Sequence, residues 1–418
     1  MVTLAMRTTY AQWIYQYTAA NTINKIFVLN PDTVYAVGNN GLLVRTKDGG
    51  NNWEQINLNT NEYLYDIVFI SNSKGYLCGS NAKLLKSNDG GNTWTACPIS
   101  TNLDLFCLSF IDENVGWIGG ASNQATPFTG ADSGIIVRTN NGGQNFLPAV
   151  TFNQGIFHLG ALNSDTCFAL ANSPYSVSTT TYNNILRSIN GGHGWNILYQ
   201  NTNPVAGLPV TLTAESFFHN GIGYVSPYQG PLLKTTNYGN TWDTISTLFY
   251  PCRDFSFPSQ TTGYYASFDE FMGVGGIFKT TDGGQGWISQ NPLHFACVSF
   301  ANDTIGYSAS VDGEIFKTVN GGVVGINENT NKDVRILITP NPFRSEITIN
   351  IDLDFRHFQG YSLKCEIYSA SGNKVLVKEI EGKSTRIQEL KEASPGIYFI
   401  RILYGQGEVY LKKLLKTN

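Results

Sequence analysis

Short apolar runs separated by polar turns occupy the first three quarters of the chain. In one representative unit the runs are YDIVFI (65–70), GYLCG (75–79) and KLLKS (83–87), with residues rich in Asn, Asp, Ser and Gly between and after them. Runs of this length that contain β-branched and aromatic residues are typical of antiparallel strands. The second run returns as VYAVG, GWIGG, GYVS, GYYAS and GYSAS. The pattern therefore predicts an all-β protein built from a repeated group of strands.

An eight-residue motif follows the third run of each unit. It reads Ser or Thr, any residue, Asp or Asn, any residue, Gly, and usually an aromatic residue three positions later. Its copies are TKDGGNNW (46–53), SNDGGNTW (87–94), TNNGGQNF (139–146), SINGGHGW (188–195), TTNYGNTW (235–242), TTDGGQGW (280–287) and a shortened TVNGG (318–322). Such side chains can accept hydrogen bonds from the backbone of their own turn, and Gly supplies the positive φ that closes a hairpin. We therefore expect each motif to connect the third and fourth strands of its unit.

The motif resembles the Asp-box, or BNR, repeat. The acidic or amide residue and the aromatic residue of each box are predicted to be structural, with the aromatic ring packed beneath the turn. The acidic or amide residues are Asp48, Asp89, Asn141, Asn190, Asn237, Asp282 and Asn320, and the tryptophans are Trp53, Trp94, Trp195, Trp242 and Trp287.

The spacing of the Asp boxes predicts the architecture. The Gly residues at 50, 91, 143, 192, 239, 284 and 322 are separated by 41, 52, 49, 47, 45 and 38 residues. A period of about 40 to 50 residues with several short strands in each repeat indicates a β-propeller. The last box has no aromatic fourth strand after it, whereas residues 10–17 resemble a fourth strand without a unit of its own. We therefore predict a seven-bladed propeller in which residues 10–17 complete the last blade and leave no open sheet edge.

A different pattern begins after residue 332. The segments EITINIDL (346–353), LKCEIYSASGNKV (363–375) and GIYFIRILYG (396–405) alternate apolar and polar residues, which predicts a small antiparallel β-sandwich. Four landmarks, ITPNPF, IYSASGNKV, SPGIYFIRI and LKKLLK, resemble in order and spacing those of the type A C-terminal sorting domain of type IX secretion substrates. The residues that carry the resemblance are Pro340, Asn341, Pro342, Gly372, Gly396 and Tyr398.

That resemblance implies an exported protein of a Gram-negative bacterium. The tail would be recognised by the type IX secretion machinery at the outer membrane, and the protein would be released or fixed to the cell surface. It also implies a signal peptide, which MVTLAMRTTYAQW (1–13) does not show. The predicted domains are the propeller at 1–325, a linker at 326–332 and an Ig-like β-sandwich sorting domain at 333–418.

Charge and composition narrow the classes of partner. Residues 1–330 carry 13 Lys or Arg and 21 Asp or Glu, a net charge of −8, whereas residues 331–418 carry 14 and 10, a net charge of +4. The larger part lacks the basic footprint of a nucleic-acid-binding protein, and no apolar run approaches the ~18 residues of a membrane span. The seven cysteines include no CxxC pair, so we expect buried thiols rather than a metal site. We expect a monomer without a cofactor.

The residues that a sialidase needs do not stand out in this propeller. Three of its five arginines, Arg45, Arg138 and Arg187, directly precede an Asp box, where the other blades have Lys, so the repeat explains them. By its period, its GYxxG second strand and its DGG box, the propeller resembles instead the photosystem II assembly and stability factor family. That family is non-enzymatic and binds partner proteins. The alternative is a secreted carbohydrate-active enzyme of the glycoside hydrolase type.

Two polar residues interrupt the apolar first strands of the blades. Glu215 stands where other blades have Ile67 or Leu108, and His158 lies one position earlier in its own strand. A carboxylate at such a position needs a partner or the water of a central channel. A general acid and base pair is one hypothesis, and hydrogen-bonded residues lining the channel are the other.

Insertions in the repeat define a candidate binding surface. Blade 3 adds residues 119–134, blade 4 adds 171–184, and residues 199–213 join blades 4 and 5. Strand alternation places these loops on the face opposite the Asp boxes, where functional loops commonly gather on a rigid scaffold. The candidate ligand-binding residues are Phe128, Asp132, Tyr175 and Tyr182. A hydroxyl- and amide-rich surface with aromatic rings suits a protein segment or a glycan, and longer solvated loops are the alternative.

A basic residue directly precedes every Asp box. These residues are Arg45, Lys86, Arg138, Arg187, Lys234, Lys279 and Lys317. Either each is a solvated side chain at the end of its strand, or together they form a cationic ring that attracts an acidic partner.

Overall fold

The computed structural model of the chain is all-β. It describes residues 13–122, 125–126, 129–174, 182–202, 212–217, 220–227, 231–248, 251–269, 273–291, 293–322, 335–352, 363–369, 374–380, 384–404 and 407–417. The chain divides into two compact units, Met1–Val324 and Gly325–Asn418. Within the described ranges the first unit holds seven four-stranded sheets, and the second holds one sheet of three strands and one of four.

The sheets of the first unit have the strand order of propeller blades, from the innermost strand to the outermost. Blade 1 contains β2 (Ile23–Val28), β3 (Val34–Gly38), β4 (Leu43–Thr46) and β5 (Glu54–Gln55). Blade 2 contains β6 (Leu64–Phe69), β7 (Gly75–Gly79), β8 (Lys83–Ser87) and β9 (Thr95–Ala96). Blade 3 contains β10 (Asp104–Phe110), β11 (Gly116–Ala121), β12 (Gly134–Thr139) and β13 (Val150–Phe152). Blade 4 contains β14 (Gly155–Ala161), β15 (Cys167–Asn172), β16 (Tyr182–Ser188) and β17 (Asn196–Thr202).

The remaining three blades follow the same order. Blade 5 contains β18 (Leu212–Phe217), β19 (Gly223–Pro227), β20 (Pro231–Thr235) and β21 (Asp243–Thr247). Blade 6 contains β22 (Cys252–Ser256), β23 (Gly263–Asp269), β24 (Val274–Thr280) and β25 (Ile288–Asn291). Blade 7 contains β26 (Phe295–Phe300), β27 (Gly306–Ser310), β28 (Glu314–Thr318) and β1 (Ile14–Thr18), so its outermost strand comes from the start of the described chain.

The blades form a closed ring. Each innermost strand contacts the innermost strands of both neighbouring blades, and β26 of blade 7 contacts β2 of blade 1. In blade 7, β1 pairs antiparallel with β28, with Ile14 opposite Lys317 and Thr18 opposite Glu314. Apolar side chains fill the spaces between neighbouring blades, as where Tyr35 and Val37 of blade 1 pack with residues of blade 2. This architecture confirms the predicted seven-bladed β-propeller.

The second unit is a β-sandwich, which confirms the second part of the predicted fold class. Its sheets have the orders β29-β30-β33 and β32-β31-β34-β35. The strands are β29 (Arg335–Thr339), β30 (Ile347–Asp352), β31 (Leu363–Ser369), β32 (Lys374–Ile380), β33 (Ser384–Ile387), β34 (Gly396–Tyr404) and β35 (Gly407–Lys416). The two inner faces share one core, in which Phe343, Ile349 and Ile400 are fully buried.

Candidate functional site

The propeller has two faces that differ in what they carry. The box face carries the Asp boxes, which join the third and fourth strands of the blades. The opposite face, here named the insertion face, carries the loops between second and third strands and the connections between blades. Successive strands of a blade are antiparallel, so these two sets of connections lie at opposite ends of the strands.

Each Asp box is held by its own side chains. In the first box the Thr46 hydroxyl accepts hydrogen bonds from the N–H groups of Gly50 (2.9 Å) and Asp48 (3.4 Å) and donates one to Asp48 Oδ1 (2.9 Å). The same three contacts recur in the other boxes, around Ser87, Thr139, Ser188, Thr235, Thr280 and Thr318. The box polar groups are therefore used within the turn.

The basic residues before the boxes connect one blade to the next. Arg45 Nη1 donates to the Gly90 carbonyl of the next box at 2.6 Å, and Lys317 Nζ donates to Gly49 O at 2.6 Å, across the junction of blades 7 and 1. The other members of the ring donate in the same way: Lys86 to Gly142 (2.7 Å), Arg138 to Gly191 (2.9 Å), Arg187 to Tyr238 (2.5 Å), Lys234 to Gly283 (3.4 Å) and Lys279 to Gly321 (2.8 Å). We name these contacts the interblade ring.

The interblade ring corrects the interpretation of the basic residues as solvated side chains. Arg45 is 4% exposed and forms an ion pair with Glu54, so it is not a solvated side chain. The ammonium of Lys86 lies 5.6 Å from the centre of the Tyr76 ring, and Lys279, Lys234 and Lys317 lie over tyrosines of their own blades in the same manner. The ring cations donate to carbonyls and lie over aromatic rings, so their side chains help to hold neighbouring blades together.

A bulge in every innermost strand sets the lining of the centre. The register between the first two strands shifts after the first or second residue of the innermost strand, as between Leu64 and Asp66 in blade 2 and between Leu105 and Cys107 in blade 3. The residues that follow the bulge are Lys25, Asp66, Cys107, His158, Ala214, Asp254 and Cys297. Bulges redirect side chains next to functional sites, and here they bring three charged residues into one ring.

Each charged residue of this ring has a hydrogen-bond partner. Lys25 Nζ lies 2.9 Å from Asp254 Oδ1, which joins blade 1 to blade 6. Asp254 Oδ2 also accepts the Val298 N–H at 3.0 Å, and Asp66 Oδ2 accepts the Leu108 N–H at 2.9 Å. Burial raises the pKa of Asp66 to about 6, although Lys25 acts in the opposite direction. Burial also opposes the charge of Lys25, but Asp254 and Asp66 together hold the pKa of Lys25 above its ordinary value.

The two candidate acid and base residues fall at different places in this ring. His158 follows the bulge of blade 4, pairs with Leu170 and is half-buried. Glu215 pairs with Val225, as Ile67 pairs with Leu77 in blade 2, so its backbone has the register of an apolar position. The side chain of Glu215 lies outside the described part of the structure. A catalytic role for either residue therefore stays a hypothesis.

On the insertion face the structure describes two of the four candidate ligand-binding residues. Asp132 is exposed, and Tyr182 is 42% exposed at the start of β16. Gln154 fixes the backbone at Tyr182, because its Nε2 donates to Tyr182 O at 2.5 Å, and Gln154 Oε1 accepts from Asn184 Nδ2 at 2.6 Å. Phe128 and Tyr175 lie outside the described residues.

Further aromatic residues lie on this face in three consecutive blades. The bulged residues Tyr65, Phe106 and Phe157 form a row with Phe106 in the middle: the rings of Tyr65 and Phe106 stack at 4.5 Å, and those of Phe106 and Phe157 meet edge to face at 4.9 Å. Phe106 and Phe157 are buried, Tyr65 is half-buried, and Tyr63 beside it is 48% exposed. Sequence reasoning missed this aromatic arc, although each member stands four residues before the end of its strand, at Phe69, Phe110 and Ala161.

Three further observations concern the described residues as a whole. The described residues contain no group of three or more His, Cys, Asp or Glu side chains arranged to hold a metal ion. Among the same described residues, no helix is long and apolar enough to cross a membrane. The seven cysteines are all buried and unbridged.

The fold and the boxes define the class: an Asp-box β-propeller with an appended β-sandwich. Residues 50–147 match the family described as "Photosynthesis system II assembly factor YCF48", and residues 337–417 match the family described as "Secretion system C-terminal sorting domain". The chain therefore contains a propeller region of the YCF48 type and a type IX sorting tail, in agreement with both resemblances. A tail of this family implies a protein that is secreted or displayed on the outer surface.

Known proteins resemble parts of the chain. A region of 72 residues is 35% identical to the "Photosystem II assembly lipoprotein Ycf48" of Trichormus variabilis, and it covers 16% of this chain. The match spans only about a fifth (21%) of the length of that relative.

Solved structures resemble most of the propeller. "YCF48 bound to D1 peptide" matches with a TM-score of 0.55 at 19% identity, over 75% of this chain and 98% of that one. "YCF48 from Cyanidioschyzon merolae" has a TM-score of 0.53 at 19% identity, over 74% and 98%. "Streptogramin B lyase structure" has a TM-score of 0.52 at 12% identity, over 73% and 96%. At these identities the likeness concerns the fold alone.

Proposed function

We propose that this chain is an exported, non-catalytic binding protein whose propeller holds an extended peptide segment of a partner protein on the insertion face. The observation that carries the proposal is the group of accessible tyrosines there. Tyr63 and Tyr182 are 48% and 42% exposed, and half-buried Tyr65 lies on the aromatic arc. Tyrosine offers a large apolar surface with a polar tip, which is why it is enriched at protein interfaces.

The state of the central carboxylates supports binding rather than catalysis. Asp254 is engaged by Lys25 and by a backbone N–H, and Asp66 accepts the N–H groups of Leu108 and of Ile67. A general acid or base must reach the proton that it transfers, whereas these carboxylates serve neighbouring strands. Their contacts are those of residues that hold blades together.

A peptide is favoured over a glycan by the structural likeness. A YCF48 propeller of the same fold is described as bound to a D1 peptide, and 98% of that chain is covered by the match. The identity of 19% transfers no residue and no partner. The likeness supports a propeller that can hold a segment of another protein.

A binding screen with matched variants tests the proposal. The purified full chain would be screened against a random peptide library displayed on phage and against a printed glycan array. We expect selected peptides to bind, and Tyr63→Ala, Tyr65→Ala and Tyr182→Ala to weaken that binding at least tenfold. The control is Tyr238→Gly, because Tyr238 is 45% exposed but lies in an Asp box on the other face.

The outcomes separate the alternatives. Peptide binding lost in the insertion-face variants and kept in Tyr238→Gly supports the proposal. Equal loss in both, or binding only to printed glycans, overturns it.

A further inference from the structure

The two outer faces of the sandwich differ in character. On the outer face of the three-stranded sheet, Thr348 lies opposite Arg386, and Asn350 lies opposite Ser384, whose hydroxyl donates to Asn350 Oδ1 at 2.8 Å. Such polar pairs are normal where one side of an antiparallel sheet meets water. Among the described residues, the outer face of the three-stranded sheet exposes one large apolar side chain, Leu337 (55%), whereas the outer face of the four-stranded sheet exposes Val377 (42%), Ile397 (37%) and Leu415 (40%). We name it the tail face.

In the last strand, the register of the backbone places the apolar residue Leu415 on the tail face. Leu415 is 40% exposed opposite Ile397, whereas its neighbour Lys416 is 5% exposed. The Lys416 ammonium donates to the carbonyls of Leu390 (2.8 Å) and Lys391 (2.7 Å). Because successive residues of a strand point to opposite faces, these bonds fix a register that keeps Leu415 outside.

A buried carboxylate organises cations at the centre of the tail face. Glu366 is 3% exposed although it lies on an outer face, because other side chains cover it. Lys374 Nζ and Arg401 Nε each lie 3.0 Å from its oxygens, the Tyr368 hydroxyl donates at 2.6 Å, and Lys364 lies 3.7 Å away. Lys374 and Arg401 also lie over the Tyr368 ring, at 5.6 and 5.7 Å from its centre. Three cations therefore surround one carboxylate and leave a net positive charge.

Arg401 keeps its carboxylate-binding groups available. It contacts Glu366 through Nε and Tyr368 through its guanidinium face, and among the described residues its two terminal nitrogens have no hydrogen-bond acceptor. The Arg401 side chain is 38% exposed. A guanidinium held on one side presents the remaining donors in a fixed fork, which is the geometry that binds carboxylates.

We infer that the tail face is the surface by which the secretion machinery recognises this chain, and that the recognising protein presents carboxylates beside an apolar patch. The inference deepens the proposed function and rests on its export component, not on what the propeller binds. Arg401 and Lys374 attract the carboxylates, while Val377, Ile397 and Leu415 supply the apolar contact. Charged pairs at an interface give specificity, and apolar anchors give affinity.

The test is export of the full chain, produced behind a signal peptide, in a bacterium that has type IX secretion. The readout is the fraction of the protein outside the outer membrane compared with the periplasmic fraction. We expect Arg401→Gln and Ile397→Glu each to lower the exported fraction at least fivefold, and Arg401→Lys to restore part of it. The matched controls lie on the outer face of the other sheet: Arg386→Gln, whose residue contacts Glu346 at 2.6 Å, and Leu337→Glu, whose residue is 55% exposed.

Folding and membrane controls keep the outcomes distinct. Every variant would be purified and its unfolding midpoint measured, so that loss of export in a folded protein is attributed to recognition. Normal export of folded Arg401→Gln and Ile397→Glu overturns the inference, as does an equal loss in the two controls. Export unchanged by deletion of 337–417 would overturn the sorting role itself. Binding of the chain to anionic lipid vesicles through Arg401, with normal export, would also overturn it by assigning the face to a membrane.

Discussion

The two faces of the propeller lie at opposite ends of the same strands and differ in how much their residues vary from blade to blade. On the box face one set of contacts recurs in every blade. Lys replaces Arg in some blades because both supply a donor, and Asn replaces Asp because both supply an acceptor oxygen. On the insertion face the bulged position is filled by Asn24, Tyr65, Phe106, Phe157, Thr213, Arg253 and Ala296. Uniform chemistry on one face therefore indicates a role in folding, and diversity on the other is what a binding surface needs.

Of the contacts that distinguish the two faces, the interblade ring is expected to have the largest effect on stability. Replacing Arg45 with Met removes a buried charge-assisted hydrogen bond to Gly90 and the ion pair with Glu54, and we expect a loss of about 2 kcal/mol in the free energy of unfolding. Urea unfolding followed by tryptophan fluorescence reports the propeller, since all seven tryptophans lie before residue 288. The control is Lys47→Met, because exposed Lys47 donates a longer hydrogen bond, to Asn92 Oδ1 in the next box at 3.3 Å. Equal losses in the two variants would show that the ring adds no stability of its own.

The titration of Asp66 at the centre of the propeller is expected to change the free energy of unfolding by an amount on the order of 1 kcal/mol. Burial raises the pKa of Asp66 to about 6 from 3.8, so the folded protein binds more protons than the unfolded chain between these values. Stability from Asp66 is therefore present below about pH 4 and is lost as pH rises to 6. Asp89 in a box behaves oppositely: hydrogen bonds from Thr93 lower its pKa to about 2, so its contribution is lost as the pH falls below 4.

Unfolding midpoints between pH 4 and 7 test this difference in Asp66→Asn. The variant lacks the titration, so the stability of the wild type relative to it should fall from pH 4 to 6 and then stay level. A relative stability that rises over this range would contradict the assigned direction of the shift. Asp89→Asn is the matched control, and it should show no slope between pH 5 and 7.

A smaller effect is expected where one box departs from the repeat. Tyr238 has φ of 59°, at the position where the other boxes have Gly. A bulky residue in this conformation is strained, so Tyr238→Gly should raise the free energy of unfolding by about 0.5 kcal/mol after the loss of its ring contact with Gly221. The reverse change at an equivalent position, Gly191→Ala, places a Cβ 2.1 Å from Arg138 Nη1 and should lower stability. Loss of stability in Tyr238→Gly would show that the tyrosine ring outweighs the strain.

The fold was predictable because the Asp box encodes its own turn. The residues that make the turn are contiguous in sequence, and counting them gives the number of blades. The interblade ring was not predictable in the same way, since Arg45 bonds to the carbonyl of Gly90, 45 residues away, and a backbone acceptor leaves no signal in the sequence. Only the recurrence of a basic residue before each box was visible.

The candidate site was predictable only in outline. Strand alternation indicated the face, and Tyr182 is exposed there. The aromatic arc depends on the bulges, which bring Tyr65, Phe106 and Phe157 together from positions that read as ordinary apolar residues of the strands. Lys25 and Asp254 are 229 residues apart, and their pairing depends on closure of the ring. Such contacts follow from tertiary geometry, which local patterns do not contain.

The smallest effect on stability is expected at the insertion face. Tyr182 is 42% exposed, so Tyr182→Ala removes little buried surface and should change the free energy of unfolding by less than about 0.5 kcal/mol. The matched control is Tyr224→Ala, because Tyr224 is fully buried, stacks on Phe257 at 4.1 Å and donates to Gln260 O. That change should cost about 3 kcal/mol or more. Both would be measured by urea unfolding of the full chain. A loss above about 1 kcal/mol in Tyr182→Ala would place this tyrosine with the structural residues, whereas a neutral change leaves ligand contact as the reason for its exposure.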